Sequence, residues 1–434
     1  MTTQLPERLR DLADDAPGPL SPTGLWREGR RRGRQRRWAA VTLAACLVLA
    51  TAVLGVGGWR SAQPDPATPP ATQTGPMTIP DHLFNPSPWT TSTSSPGRLV
   101  ALMTSTRDHF PWGSDKNGLV GVAAGSQTYR FLDLPGQSPD ATDAYLSPDG
   151  LHLAYWINGA PIGSARLGDR SLLGVAILDL RTGSVERHTF NTQHGLAALG
   201  GLTWPDDSTV ALTADRFTSA QPYSYGGRTR TYLLTVGRPD SFVALAGPVD
   251  FDVTVASGSG FAVMTDRRTL RIRPNADRSD LRLSRAVRSV AYDATYGVAA
   301  VAGDPNRSGP TARRLVVGRV SHGGRVELTS VPGGRAYDQV VAWVDADHVA
   351  TERQTRDGLV YDVVDLRTGA RRELSRKPWY GFTLAGDALQ HATTVPGIEP
   401  PAPWNPRLVS LAGLLVTLVA GGAIVTWRRS RGRL

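Results

Sequence analysis

The sequence predicts an all-β domain, a six-bladed β-propeller with seven blades as the alternative, flanked by two transmembrane α-helices. Three observations predict it. Two uncharged apolar runs of spanning length lie near the chain ends; between them come short segments rich in Val, Leu, Ala and Tyr, each closed by Gly, Asp, Pro or Asn; and those segments recur in sets of four.

Composition sets the outer limits. Of 434 residues, 40% are hydrophobic and 20% charged, a globular balance, and 46 Gly with 32 Pro point to many turns and away from a helical bundle. One Cys excludes a disulfide framework and a Cys-based zinc site. The net charge of +10 rests on 46 Arg and two Lys, Lys116 and Lys377, and read as one number it suggests nucleic acid or an anionic surface. Its distribution says otherwise. Residues 1–37 hold nine Arg against five acids, and residues 428–434 hold four Arg and no acid, so the two tails carry +4 each and the rest only +2. No nucleic acid is expected as a partner.

In chain order, the first element is a basic cytoplasmic tail, 1–37. Leu5, Leu9 and Leu12 recur at helical spacing behind Pro6 and Glu7, which suit a first turn, and Trp26 extends the apolar contact. So short a helix orders only against a partner or the membrane. The tail is read either as a disordered topology signal or as a docking segment for a cytoplasmic protein or anionic lipid.

The first transmembrane helix, 38–59, contains twenty uncharged residues from Ala39 to Gly58, and the second, 408–427, nineteen from Leu408 to Thr426. At about 1.5 Å per residue each matches a bilayer core of roughly 30 Å. Trp38 and Trp59 bracket the first, Trp404 and Trp427 the second, at the headgroup level that indole prefers. Arg clusters before the first run and after the second keep both ends in the cytoplasm, so the intervening residues lie outside the membrane and lipid is an expected contact. Cleavage as a signal peptide is the rival, opposed by the length of the run and by Trp59 and Arg60 at its end. Leu43-Ala44-Ala45-Cys46 matches a lipoprotein box in residue type, but the apolar run continues past Cys46.

Residues 60–98 form a linker: from Ser61 on they hold nine Pro and twelve Ser or Thr, too little apolar area to fold alone. Ile79, Leu83, Phe84 and Trp89 are more apolar than a spacer needs, so part of it is expected along the domain. A second linker covers 396–407.

The domain between, 99–395, repeats one sentence: strand, acidic turn, strand, gap, strand, turn, strand. DAYLSPDGLHLAYWI then GVAILDLRTGSVERHTF is one copy; DQVVAWVDADHVATERQ then GLVYDVVDLRTGARREL is another. Asp179-Leu180-Arg181-Thr182-Gly183 and Asp365-Leu366-Arg367-Thr368-Gly369 are identical turns. Looser copies start near Gly201, Phe251 and Val287. Each copy has the size of a propeller blade, and a ring of blades buries faces that a lone sheet leaves bare. Strands left over at 98–134 and 380–395 would join as a sixth blade that fastens the ring.

Ser147-Pro148-Asp149-Gly150 resembles the SPDG turn of TolB-type, WD40-like repeats, with Trp204-Pro205-Asp206-Asp207 and Trp343-Val344-Asp345-Ala346 as looser copies. The layout resembles the membrane-anchored propeller proteins of actinobacteria, often encoded beside extracytoplasmic-function sigma factors. That resemblance implies an architecture, and a cytoplasmic partner such as a sigma factor.

Chemistry is harder to find. There is no Gly-x-Ser-x-Gly elbow and no Ser-x-Asp-x-Gly box, and the eight His never fall at metal-ligand spacing. No catalytic residue, cofactor or metal site is expected. His188 and His194 are assigned to a surface loop, and Asp206, Asp207, Asp345 and Asp347 to turns that cap their own backbone. Two long loops mix aromatic and charged groups, and Phe110, Trp112, Tyr223 and Tyr225 are the candidate binding edge. The expectation is a non-catalytic binding or sensing module with a protein partner at the propeller or the tail. The alternatives are an envelope scaffold, or an enzyme on a cell-wall glycan or peptide with carboxylates converging at one mouth of the ring.

Overall fold

A computed structural model of the chain describes residues 77–403, apart from 109–115, 138–143, 160–171, 221–228, 239–241, 245–252, 255–260, 274–279, 304–312, 322, 336, 378–380 and 392, with a few residues between 405 and 422. The chain divides into two compact units, 67–404 and 1–66 with 405–434. No helix among the described residues is long and apolar enough to cross a membrane. The first expected span lies outside the described residues. Of the second only Leu408, Ser410, Leu411, Gly413, Gly421 and Gly422 are described, all in helical backbone.

The larger unit is all-β, and most of its strands group into six antiparallel sets of four; the second and third sets are joined through Leu196 and Leu172 into one eight-stranded sheet, and the first and fourth each take a further parallel strand, Ser92–Thr93 and Arg325–Val326. Leu99–Arg107, Lys116–Ala123 and Tyr129–Leu132 make three strands of the first sheet, and Phe382–Leu384, from the other end of the unit, pairs with Leu99–Arg107 as the fourth. The expected union of the two ends is therefore present, with Phe382 opposite Met103. The second sheet runs Ala144–Leu146, His152–Asn158, Leu172–Asp179, Val185–Thr189, and the third Leu196–Asp206, Thr209–Arg216, Arg230–Thr235, Val243–Ala244. The fourth holds Val253–Thr254, Phe261–Asp266, Thr269–Arg273 and Asp280–Leu283. Val287–Asp293, Gly297–Gly303, Arg313–Gly318 and Thr329–Arg335 form the fifth, and Gln339–Trp343, His348–Thr355, Gly358–Asp365 and Arg371–Lys377 the sixth.

Period-2 alternation sends successive side chains of each strand to opposite neighbours. In the second sheet Leu153, Tyr155 and Ile157 join a core with the first sheet, while Ala154 and Trp156 join one with the third. In the fifth, Val298 and Ala300 face the fourth, and Ala299 and Val301 face the sixth. Leu359 and Tyr361 of the sixth sheet enter the core of the first. Contact therefore passes from each sheet to the next and from the last back to the first, with Leu233 of the third packed on the core of the fourth and fifth. Strands covered on both faces must be apolar at every position, as the wholly buried GVAAVA of Gly297–Gly303 is; outer strands such as Asp280–Leu283 alternate.

The two Trp of the looser turn copies have one role. The Trp204 indole donates to Tyr145 O at 2.8 Å, and the Trp343 indole to Ala291 O at 3.3 Å, each pinning a first strand to that of the preceding sheet. The repeated Leu-Arg-Thr-Gly turns are also alike. Asp179 Oδ1 accepts from the amides of Arg181 and Thr182, Asp365 Oδ1 from those of Arg367 and Thr368, and Gly183 and Gly369 adopt φ of 74° and 73°.

Within the linker, the part that Ile79, Leu83, Phe84 and Trp89 marked as lying along the domain packs on the sheets. Met77, Ile79 and Leu83 are buried at 2% exposure or less, and Ile79–Pro80 pairs in parallel with Thr394–Val395. Pro blocks propagation of a long strand, but three apolar side chains suffice to hold the segment down. One α-helix, Gly386–His391, follows the closing strand where strand texture was expected.

Candidate functional site

Three carboxylates from three separate elements meet beside the opening turn of the second sheet. Gly150 has φ of 70°, and a Cβ there would fall 2.1 Å from Leu99 O, so only Gly lets this turn press on the first sheet. Ser147 Oγ donates to Asp149 Oδ1 at 2.5 Å and accepts from His152 N at 2.8 Å, closing the turn. Arg98 crosses to it, donating from Nε to Asp149 O at 2.8 Å. The same guanidinium lies 3.6 Å from Asp387 Oδ2, and Asp387 N donates to Pro148 O at 3.0 Å, which seats the short helix on the turn. From the third sheet, Asp207 Oδ1 accepts from Asp149 N at 2.9 Å.

The charges are unequal: Arg98 forms an ion pair with Asp387 and meets Asp149 only through its main-chain carbonyl, and no cation acts among the causes that set Asp207. Burial, and next the Asp149 carboxylate, raise Asp207 above the ordinary carboxylate value, with Asp387 and Asp206 adding to the effect. Burial also raises Asp387, opposed by Arg98 and reinforced by Asp149. Such groups exchange a proton at higher pH than a free carboxylate, and they suit hydroxyl-rich or cationic ligands. No group of three or more His, Cys, Asp or Glu able to hold a metal ion occurs among the described residues.

The sequence expectation for these turns divides. Asp206 and Asp345 do cap their own turns, through Ser208 N and Asp347 N at 2.8 Å each. Asp207 instead caps the turn of the neighbouring sheet. Asp387 carries no local signal, because only the closing of the two chain ends brings it to Asp149. His188 is a correction: it sits in strand Val185–Thr189, wholly buried, with Nε2 3.0 Å from Glu186 Oε1. Its polar neighbours resemble loop residues because an outer strand exposes alternate positions.

Phe110, Trp112, Tyr223 and Tyr225 lie outside the described residues, as do Leu5, Leu9, Leu12 and Trp26 of the tail and Trp38, Trp59, Trp404 and Trp427 at the expected membrane interfaces.

Two cavities line the sixth sheet. One of about 380 Å³ is walled by Asp345, His348, Asp365, Arg371 and His391, among others. The other, about 480 Å³, includes His82, Arg353, Thr355, Arg376 and Lys377.

No protein-family model matches the chain, and no curated protein matches it in sequence. Similar solved structures include TolB from Acinetobacter baumannii, 14% identical with a TM-score of 0.39 over 64% of each chain. They also include Pyrococcus horikoshii acylaminoacyl peptidase, 12% identical with a TM-score of 0.40 over 69% of this chain and 46% of that one. A third is Porphyromonas gingivalis dipeptidyl peptidase 4, 12% identical with a TM-score of 0.37 over 69% and 47%. The chain spans under two thirds of the length of each.

Proposed function

We propose that the chain is a double-pass membrane protein whose six sheets close into a β-propeller outside the cytoplasmic membrane and work as a non-catalytic binding and sensing module. The observation that carries this reading is the cyclic order of contact, with Phe382–Leu384 completing the sheet begun at Leu99. Ring closure of this kind brings both ends of the domain to one place, as two membrane tethers require. The leading and trailing segments are fastened there. Besides the pairing of Ile79 with Thr394, Asp81 Oδ1 accepts from Gly397 N at 2.8 Å. Gln127 grips the trailing segment with both ends of its amide, donating to Pro396 O at 3.0 Å and accepting from Ile398 N at 2.8 Å. It does so from φ of 52°, the one positive φ of a non-glycine among the described residues, a strain that these bonds offset.

In the sharper form of the reading, the tail 1–37 docks a cytoplasmic partner such as a sigma factor. Photocrosslinking in cells tests both faces of the full chain, from positions in the tail and from the loops around Trp112 and Tyr223. The reading expects different partners at the two faces. Absence of any tail partner would remove the signalling role and leave a scaffold.

A second reading, an enzyme on a cell-wall glycan or peptide, is favoured by the meeting of Asp149, Asp207 and Asp387. Incubation of the purified protein with peptidoglycan, compared with Asp207→Asn and Asp387→Asn, separates the two. Hydrolysis lost in both variants supports the enzyme, and no hydrolysis by any of the three supports the binding module.

A further inference from the structure

Phe382–Leu384 completes the first sheet from the far end of the domain, and it has one paired neighbour, Leu99–Arg107. Along such an edge strand alternate carbonyls face the neighbour and the others turn away from the sheet. Gly381 O takes the amide of Thr104 at 3.0 Å, so the next carbonyl, Phe382 O, turns outward. It meets the Tyr361 hydroxyl of the sixth sheet at 3.1 Å, with the two rings 4.7 Å apart. Tyr361 is 2% exposed. Its oxygen also lies 3.2 Å from Oε2 of Glu352, its cross-strand partner on His348–Thr355.

Counting protons distinguishes two states of this chain of three groups. A carbonyl can only accept, and a tyrosine hydroxyl has one proton to give. With Glu352 ionised, the carboxylate and Phe382 O compete for that proton and one of them lacks a donor. With Glu352 protonated, Glu352 donates to Tyr361 Oη and Tyr361 donates to Phe382 O, and every group is satisfied. The surroundings favour the second state. Burial raises the Glu352 carboxyl above its ordinary value; the bond to Tyr361 opposes this and Asp338 adds to it. Burial, and next Glu352, raise Tyr361 well above its own ordinary value, with Tyr145 of the second sheet contributing, so the hydroxyl keeps its proton. The other charged groups nearby are committed. Asp338 pairs with Arg313 of the fifth sheet, and Lys377, on the same face as Glu352, donates to Thr104 O of the first sheet at 2.8 Å. Arg353 and Asp362 pair with each other on the opposite face.

We propose that Glu352, Tyr361 and Phe382 O form a proton-operated latch that ties the closing strand to the sixth sheet. When Glu352 gives its proton to solvent, the Tyr361 hydroxyl turns to the carboxylate and Phe382 O loses its donor. Acid therefore fastens the closing strand, and a rise in pH loosens it. That strand runs on into helix Gly386–His391 and then Thr394–Val395, which pairs with Ile79–Pro80, so the latch acts where both ends of the domain are held. The inference stands whether or not the domain is carried on a membrane.

The test is hydrogen–deuterium exchange of the full-length protein in detergent, read by mass spectrometry over a pH series and corrected for the intrinsic rate at each pH. Protection of residues 381–385 is compared with that of Thr209–Arg216 in the third sheet. Because the folded Glu352 carboxyl is raised, its contribution is full below the ordinary carboxylate value and lost as pH rises through the higher folded value. Relative protection of 381–385 in wild type should fall roughly five- to tenfold over that window, the factor expected for one hydrogen bond. Glu352→Gln offers an N–H to Tyr361 at every pH and should keep the acid-state protection throughout. Tyr361→Phe removes the donor to Phe382 O and should give low protection at every pH; should it fail to fold, Glu352→Gln alone decides. Equal pH profiles for wild type and Glu352→Gln, or a fall shared equally by Thr209–Arg216, would overturn the proposal.

Discussion

In the sixth sheet the opening turn closes on itself. Asp345 accepts from Asp347 N at 2.8 Å and lies 2.8 and 3.0 Å from His348 Nδ1; although burial works against it, those bonds hold the Asp345 carboxyl below its ordinary value. In the second sheet the same position is filled by Ser147-Pro148-Asp149-Gly150. There the turn leans on the first sheet through Gly150, takes a hydrogen bond from Arg98, and gives its amide to Asp207, whose carboxyl is raised. One turn is a local cap; the other is shared by three sheets and a helix. The difference shows that a repeated structural turn becomes a candidate site when its charges are left to neighbours.

The largest expected effect breaks the shared turn. Gly150→Ala forces a side chain onto Leu99 O at positive φ and should cost about 3 kcal/mol or more by denaturant unfolding, whereas Ala346→Gly in the local turn should cost under ~1 kcal/mol. Next comes Asp345→Ala, expected to lose about 0.5 to 1 kcal/mol at pH 7 with the two bonds it makes. Because the folded carboxyl is held low, that contribution is present above the usual carboxylate value and lost as pH falls through the lower folded value, so variant and wild type should converge in acid. Smallest is Asp207→Asn, which keeps an acceptor for Asp149 N and removes an unfavourable charge, for a gain of a few tenths of a kcal/mol at pH 7. Here the sign reverses. The folded carboxyl of Asp207 takes its proton at higher pH than the unfolded chain, so wild type should recover stability as pH falls through the window just above the usual value, and the variant should not. Parallel pH profiles for the two variants would erase the distinction between the turns.

The same contrast explains what the sequence disclosed. Strands covered on both faces, such as Gly297–Gly303, are continuous apolar runs between Gly and Asp turns, and such strands recur legibly. The pairing of Leu99–Arg107 with Phe382–Leu384 was legible because each left an incomplete set. Residues 77–84 were legible as packed chain from Ile79, Leu83 and Phe84, while His188 was obscured by the polar alternation of an outer strand. Asp387 and Lys377 were beyond reach for a deeper reason. Each acquires its neighbours only when the last strands return to the first sheet, and no local pattern records that meeting.

Membrane orientation bears on all of these roles, and cysteine labelling measures it. In a Cys46→Ser background, Val243→Cys sits at a position 58% exposed on an outer strand, and Thr2→Cys marks the tail. A membrane-impermeant maleimide applied to intact protoplasts should label Val243→Cys at once and Thr2→Cys only after lysis. Labelling of Thr2→Cys in intact protoplasts with Val243→Cys protected would contradict a propeller carried outside the membrane between two cytoplasmic tails.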